Sequence, residues 1–141
     1  GFDFKAIKIA YKKNIKEKRI VAGGSTISQQ LAKNLFLSTE KTIWRKIEEA
    51  IITLMIENIM SKRRILEIYL NIIEWGNSVF GIKAATIHYY NIPISSLSEE
   101  QSCYLAAMIP NPKFYDKNRN APLLSKKANV IQNRLASVRI P

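Results

Sequence analysis

Scarcity narrows the chemistry first. Of 141 residues, one is cysteine, Cys103, and one is histidine, His88. A single thiol excludes an internal disulfide, and no cluster of His and Cys has the spacing of metal ligands. A hydrolase built on serine, histidine and aspartate is poorly supported, because His88 has no partners in that pattern. Acidic groups are few: 11 Asp and Glu stand against 22 Lys and Arg, a formal net charge of +11. No apolar run approaches the ~20 residues that span a bilayer. The longest, Ala50 to Ile56, stops at Glu57 and Asn58. Neither a signal peptide, nor strand-like alternation, nor a repeat or low-complexity tract is visible. The chain opens on Gly1 rather than methionine, so the expectation is a fragment or a processed product.

What is present argues for a folded, all-α chain. Hydrophobic residues make up 47%, too many for disorder, and 141 residues suffice for one domain with a real core, taken as 1–141. The positive balance favours an anionic partner: nucleic acid, an acidic membrane surface, or a phosphate-bearing substrate. Charge alone does not choose among them.

Along the chain, Asp3 is placed to cap a helix whose Phe4, Ile7, Tyr11 and Ile15 form a buried stripe. Its other face carries Lys5, Lys8, Lys12, Lys13 and Lys16, either as a solvated surface or as a patch for anionic lipid headgroups. After Gly23-Gly24, Ser25 or Thr26 supplies a hydroxyl N-cap, and Gln29 stands where a capping-box partner belongs. Ile27, Leu31 and Leu35 line one face of that helix, with Gln29, Gln30, Lys33 and Asn34 opposite. Amides and a lysine opening from a glycine turn suit an anionic, hydroxyl-rich ligand. Ser38 or Thr39 is expected to cap a long helix from Lys41 to Met60, apolar around most of its circumference and so packed from several directions. Glu49 is its odd residue, a carboxylate among apolar neighbours, with Arg45 placed as partner; Glu48 reads as a rim residue.

Ser61 caps the next helix, Lys62 to Asn71, whose three leading cations oppose the helix dipole. Glu74 to Ser78 reads as a loop and Gly81 to Tyr90 as a helix on which His88 is packed or hydrogen-bonded. Ser98 with Gln101 forms a capping box for Glu99 to Met108, where Cys103 is a small buried residue. Pro110-Asn111-Pro112 stops that helix, and Lys113 to Leu124 reads as irregular. Ser125 then caps a last helix to about Val138, with Val130, Ile131, Leu135 and Val138 inward.

The string Gly23-Gly24-Ser25-Thr26-Ile27-Ser28-Gln29-Gln30-Leu31-Ala32-Lys33-Asn34-Leu35-Phe36-Leu37 resembles the second signature motif of the peptidoglycan glycosyltransferases, glycosyltransferase family fifty-one. Arg45-Lys46-Ile47-Glu48-Glu49-Ala50 resembles the third motif, Lys62 to Asn71 the fourth, and Gly81-Ile82-Lys83-Ala84-Ala85 with Tyr89 the fifth. Glu74-Trp75-Gly76 and Pro110-Asn111-Pro112 look most like the monofunctional members. The resemblance implies a helical domain similar to lysozyme that polymerises lipid II into glycan strands and releases undecaprenyl pyrophosphate. By position it implies that Lys33, Lys41, Arg45 and Lys46 hold the donor pyrophosphate, while Ser25, Thr26, Gln29 and Gln30 bind sugar and phosphate oxygens. Glu49 matches the second essential glutamate, supporting the donor site or a divalent metal such as Mg or Mn; no organic cofactor is implied.

Gly1-Phe2-Asp3 resembles the tail of the first motif, so the general base is expected upstream of Gly1, and Ile92 stands where the family usually has lysine. The implied partners are lipid II, the lipid-linked glycan and an anionic membrane surface, with no nucleic acid. The implied location is the periplasmic face of a bacterial inner membrane, with an N-terminal anchor on the full-length protein. Two alternatives stand beside this reading. One is an inactive remnant that binds lipid II or membrane. The other is a basic helical nucleic-acid-binding module, which the +11 charge and Lys62-Arg63-Arg64 permit.

Overall fold

The computed structural model describes residues 3–5, 7–9, 12, 25–36 and 42–138. The chain divides into two compact units, one ending at Tyr69 and one beginning at Leu70. The first holds α1 (Ile27–Phe36), α2 (Ile43–Ile59) and most of α3 (Lys62–Ile72). The described residues between 4 and 12 are also helical, and the Ile7 N–H bonds to the Asp3 carbonyl at 3.0 Å. Phe4 and Ile7 are exposed rather than buried, while Tyr11 and Ile15 lie outside the described residues.

α1 packs along α2 around Leu31, Ala32 and Ile56. Ile27 and Leu35, expected on the buried face of α1, are exposed; Ser28 and Gln29 take up buried positions beside Leu31 and Ala32. α2 starts later than its pattern suggested because Thr42 caps it, accepting the Arg45 N–H at 3.1 Å; Ser38 and Thr39 lie outside the described residues. α2 is also not packed from several directions. Its buried residues are Glu49, Thr53 and Ile56, at positions i, i+4 and i+7 of one stripe. Most of its other apolar side chains point outward, from Ile47 at 45% exposed to Trp44 at 77% and Ile43 at 82%. The inversion has a local cause. Thr53 donates to the Glu49 carbonyl at 2.6 Å, and Glu49 is paired with Lys46, so the polar stripe satisfies itself and can be buried.

In the second unit, β1 (Glu74–Gly76) and β2 (Val79–Phe80) form an antiparallel ribbon where a loop was expected. Asn77 and Ser78 make its turn, Ser78 at φ 61°. Gly81 follows at φ +78°, and a Cβ there would lie 2.4 Å from the Asn71 carbonyl oxygen, so only glycine fits. α4 (Ile82–Tyr90) ends at Asn91 in the left-handed conformation, its N–H bonding to the Ile87 carbonyl. α5 (Glu99–Met108) carries the expected capping box between Ser98 and Gln101.

Two prolines start helices instead of marking irregular chain: α6 (Pro112–Lys117) and α7 (Pro122–Arg134) each have proline in the first turn, where its missing N–H costs nothing. Because α7 begins at Pro122 and not after Ser125, the face turned to α5 is Leu124, Ala128 and half-buried Ile131. Val130, Leu135 and Val138 are exposed. Trp75, Val79, Ala85, Cys103, Leu105, Met108 and Tyr115 complete this core. The ribbon apart, every regular element among the described residues is a helix, and the all-α class holds.

Candidate functional site

The residues singled out by sequence gather where α1 begins against the first turns of α2. Thr26 and Gln29 cap each other: the Gln29 N–H donates to Thr26 Oγ1 at 3.3 Å, and the Thr26 N–H donates to Gln29 Oε1 at 2.9 Å. Gln29 is buried, so its amide orders the helix start. Ser25, one residue earlier, is exposed, and Lys46 Nζ from α2 reaches its hydroxyl at 3.4 Å. Gln30 Nε2 lies 3.5 Å from the Ser25 carbonyl, and its Oε1 accepts the Tyr69 hydroxyl at 2.8 Å. Burial pushes the Tyr69 phenol up, which keeps it a donor.

On α2, Lys46 and Glu49 are three residues apart and form a direct ion pair. The Glu49 side chain is only 3% exposed, and Arg45 Nη1 stands 4.0 Å from its Oε2. The sequence paired Glu49 with Arg45; the structure gives the close partnership to Lys46. That leaves the Arg45 guanidinium, 14% exposed, with buried Nε and Nη1 that have no hydrogen-bond partner among the described residues. Desolvated N–H groups of a guanidinium need acceptors, and a phosphate or carboxylate from outside would supply them. Ser25, Thr26, Gln29, Gln30, Arg45, Lys46 and Glu49 therefore belong to one cluster within the first unit. Lys33 is exposed on α1. Lys41 lies outside the described residues.

Four further residues tie this cluster down and were not picked out from sequence. The Ser28 hydroxyl, buried on α1, donates to Glu57 Oε1 near the end of α2, and Lys62 Nζ at the start of α3 pairs with Glu57 Oε2. Burial would raise the Glu57 carboxyl, but hydrogen bonds led by that from Lys62, with Ser28 among the donors, outweigh it and hold it below the usual carboxylate range. Tyr69 is the fourth. The one available signal was Glu57 closing an apolar run; nothing local marked its partner as Ser28, 29 positions away.

Among the described residues no three His, Cys, Asp or Glu side chains converge, and Glu49, the carboxylate that would meet a divalent cation together with substrate phosphates, is engaged by Lys46 and Arg45.

The second unit holds another polar knot. Asp116 Oδ2 accepts the Asn77 N–H at 3.0 Å, while its Oδ1 lies 3.0 Å from His88 Nε2, 3.1 Å from the Tyr89 hydroxyl and 3.2 Å from Arg119 Nη2. Arg119 also stacks over the Tyr89 ring at 4.8 Å. Burial alone would raise Asp116, but these donors hold it at about 2. Tyr89 is pushed well up by burial and by the Asp116 charge. The knot braces the ribbon turn against α4 and α6, and His88 is hydrogen-bonded, as its setting in the sequence suggested.

Residues 1–136 match the sequence profile of the transglycosylase family. The chain is 67% identical over all of its 141 residues to the biosynthetic peptidoglycan transglycosylase of Nitrosospira multiformis, covering 61% of that protein. It is 63% identical to the protein of the same name from Nitrosomonas eutropha and 60% identical to that of Chromobacterium violaceum, covering 58% and 62% of them. The chain thus spans about three fifths of the length of these curated relatives. With a profile match along nearly its whole length and a helical fold of the expected class, this chain belongs to the transglycosylase family.

Proposed function

We propose that this chain forms the donor-side wall of a peptidoglycan glycosyltransferase that polymerises lipid II. The observation that carries the reading is Arg45: a guanidinium with two buried nitrogens that have no hydrogen-bond partner among the described residues, beside Lys46 and buried Glu49, at the mouth of the capped α1. A pyrophosphate offers the acceptors those nitrogens lack, and Lys33, Lys41 and Lys46 add charge around it. Ser25 and Gln30 face sugar and phosphate oxygens, whereas Thr26 and Gln29 hold the helix start from which they project. Glu49 keeps Lys46 and Arg45 on one side of α2, so that two cations meet the same diphosphate.

In the reaction, the acceptor's 4-hydroxyl oxygen attacks the donor's anomeric carbon with inversion. The new C–O bond forms as the bond to the pyrophosphate breaks, and undecaprenyl pyrophosphate leaves with the electron pair. The hydroxyl proton passes to a glutamate acting as general base.

The outward apolar stripe of α2, with Lys62, Arg63 and Arg64 exposed beyond its end, supports docking on an anionic bilayer at the periplasmic face of the inner membrane. No helix among the described residues is long and apolar enough to cross it.

The test is lipid II binding by Arg45→Ala and by Arg45→Ala with Lys33→Ala, measured in detergent micelles. The expected result is a loss of at least tenfold, equal to ~1.4 kcal/mol, in the single variant and more in the double. Unchanged binding in both would refute the assignment. Steep salt-dependent binding to duplex DNA without lipid II affinity would favour the nucleic-acid module instead.

A further inference from the structure

α1 carries the proposed ligand-facing groups, and two directional bonds grip it from nearly opposite sides. Ser28 donates to Glu57 on α2, and Gln30 accepts from Tyr69 on α3. Two residues apart on a helix of 3.6 residues per turn, these attachments stand about 200° apart around the α1 axis. Apolar packing of Leu31 and Ala32 holds α1 close to α2 but is tolerant of small rotations; hydrogen bonds are not. Glu57 is itself aimed by Lys62, which belongs to the same helix as Tyr69 and stands seven residues before it, on one face. α3 therefore supports both ends of the grip.

We infer that Glu57 is a positioning residue for the donor site: with Ser28 and Lys62 it fixes the rotation of α1, and so the direction in which Ser25 and Gln30 face the ligand. The inference rests on the proposed lipid II reading. A bond made only for stability could be replaced by apolar packing at little cost, since a buried polar pair is rarely worth more than a well-packed hydrophobic one. The distinctive consequence is that losing the Ser28–Glu57 bond weakens ligand binding more than it weakens the fold.

The experiment compares Ser28→Ala, Ser28→Thr, Glu57→Gln, Glu57→Leu and the Ser28→Ala/Glu57→Leu double variant in the full-length protein, reading lipid II affinity and melting temperature for each. Ser28→Ala and Glu57→Leu are expected to weaken lipid II binding at least tenfold with melting temperatures within a few degrees of wild type. The double variant is expected to be no weaker than Glu57→Leu alone, because both remove the same bond. Ser28→Thr keeps the hydroxyl and is expected to bind within threefold of wild type; Glu57→Gln keeps an acceptor for Ser28 but gives up the Lys62 ion pair, and is expected to fall between wild type and Glu57→Leu. The inference is overturned if Ser28→Ala binds lipid II like wild type, if losses of affinity follow losses of melting temperature across the set, or if the conservative variants fail as badly as the others. A wild-type protein that does not bind lipid II overturns the parent reading, an outcome separable from all of these.

Discussion

Gly81 and Asp116 show how single positions set the limits of the second unit. At φ +78° and 2.4 Å from the Asn71 carbonyl oxygen, a methyl group at residue 81 meets both strain and a clash with backbone that cannot move aside. Gly81→Ala is expected to cost about 2 kcal/mol or more, read as a lowered denaturant midpoint with an unchanged slope. Asp116 makes the pH dependence explicit. Its folded pKa of about 2 lies below the ordinary 3.8, so its contribution is fully present above the ordinary value and is lost as pH falls toward 2. Asp116→Asn should therefore lower stability at neutral pH by about 2 kcal/mol and flatten the acid limb of the stability curve in urea titrations. At this scale the sequence was informative about types more than partners. Glu49 stood out as a carboxylate needing a cation, yet Arg45 and Lys46 were both within one turn, and only side-chain geometry decided for Lys46.

Among the elements, capping boxes were the most legible features and burial faces the least. Ser98 with Gln101 and Thr26 with Gln29 are read from three-residue spacing, because a cap is satisfied within its own turn. Ser98→Ala is expected to lower stability by about 1 kcal/mol, a test by thermal melting. The outward face of α2 could not be read the same way. Periodicity identifies an apolar stripe but not what lies against it, and here the protein took the polar stripe of Glu49 and Thr53. If Trp44 and Ile51 serve a bilayer rather than a core, Trp44→Ser and Ile51→Ser should each change unfolding free energy by no more than about 0.5 kcal/mol. Their partitioning onto anionic vesicles should nevertheless fall severalfold in sedimentation assays. A large loss of stability instead would mean that the stripe is packed within the protein. Pro112 and Pro122 illustrate a different difficulty: proline both stops and starts helices, and the choice depends on whether the following residues find a partner helix, as Leu124 and Ala128 do.

For the molecule as a whole, the +11 charge sets long-range behaviour that no single pair controls. Raising ionic strength from 0.1 to 1 M shortens the screening length from about 10 Å to about 3 Å. Capture by anionic vesicles should weaken steeply over that range, and vesicles of neutral lipid should retain only the part due to the apolar stripe. Cys103 offers a way to follow the second unit through such experiments. It is the sole thiol, 2% exposed on α5, and burial pushes its pKa up. Native protein should consequently react with a maleimide dye only as fast as α5 opens, so labelling kinetics become a stopwatch for breathing of that half of the chain.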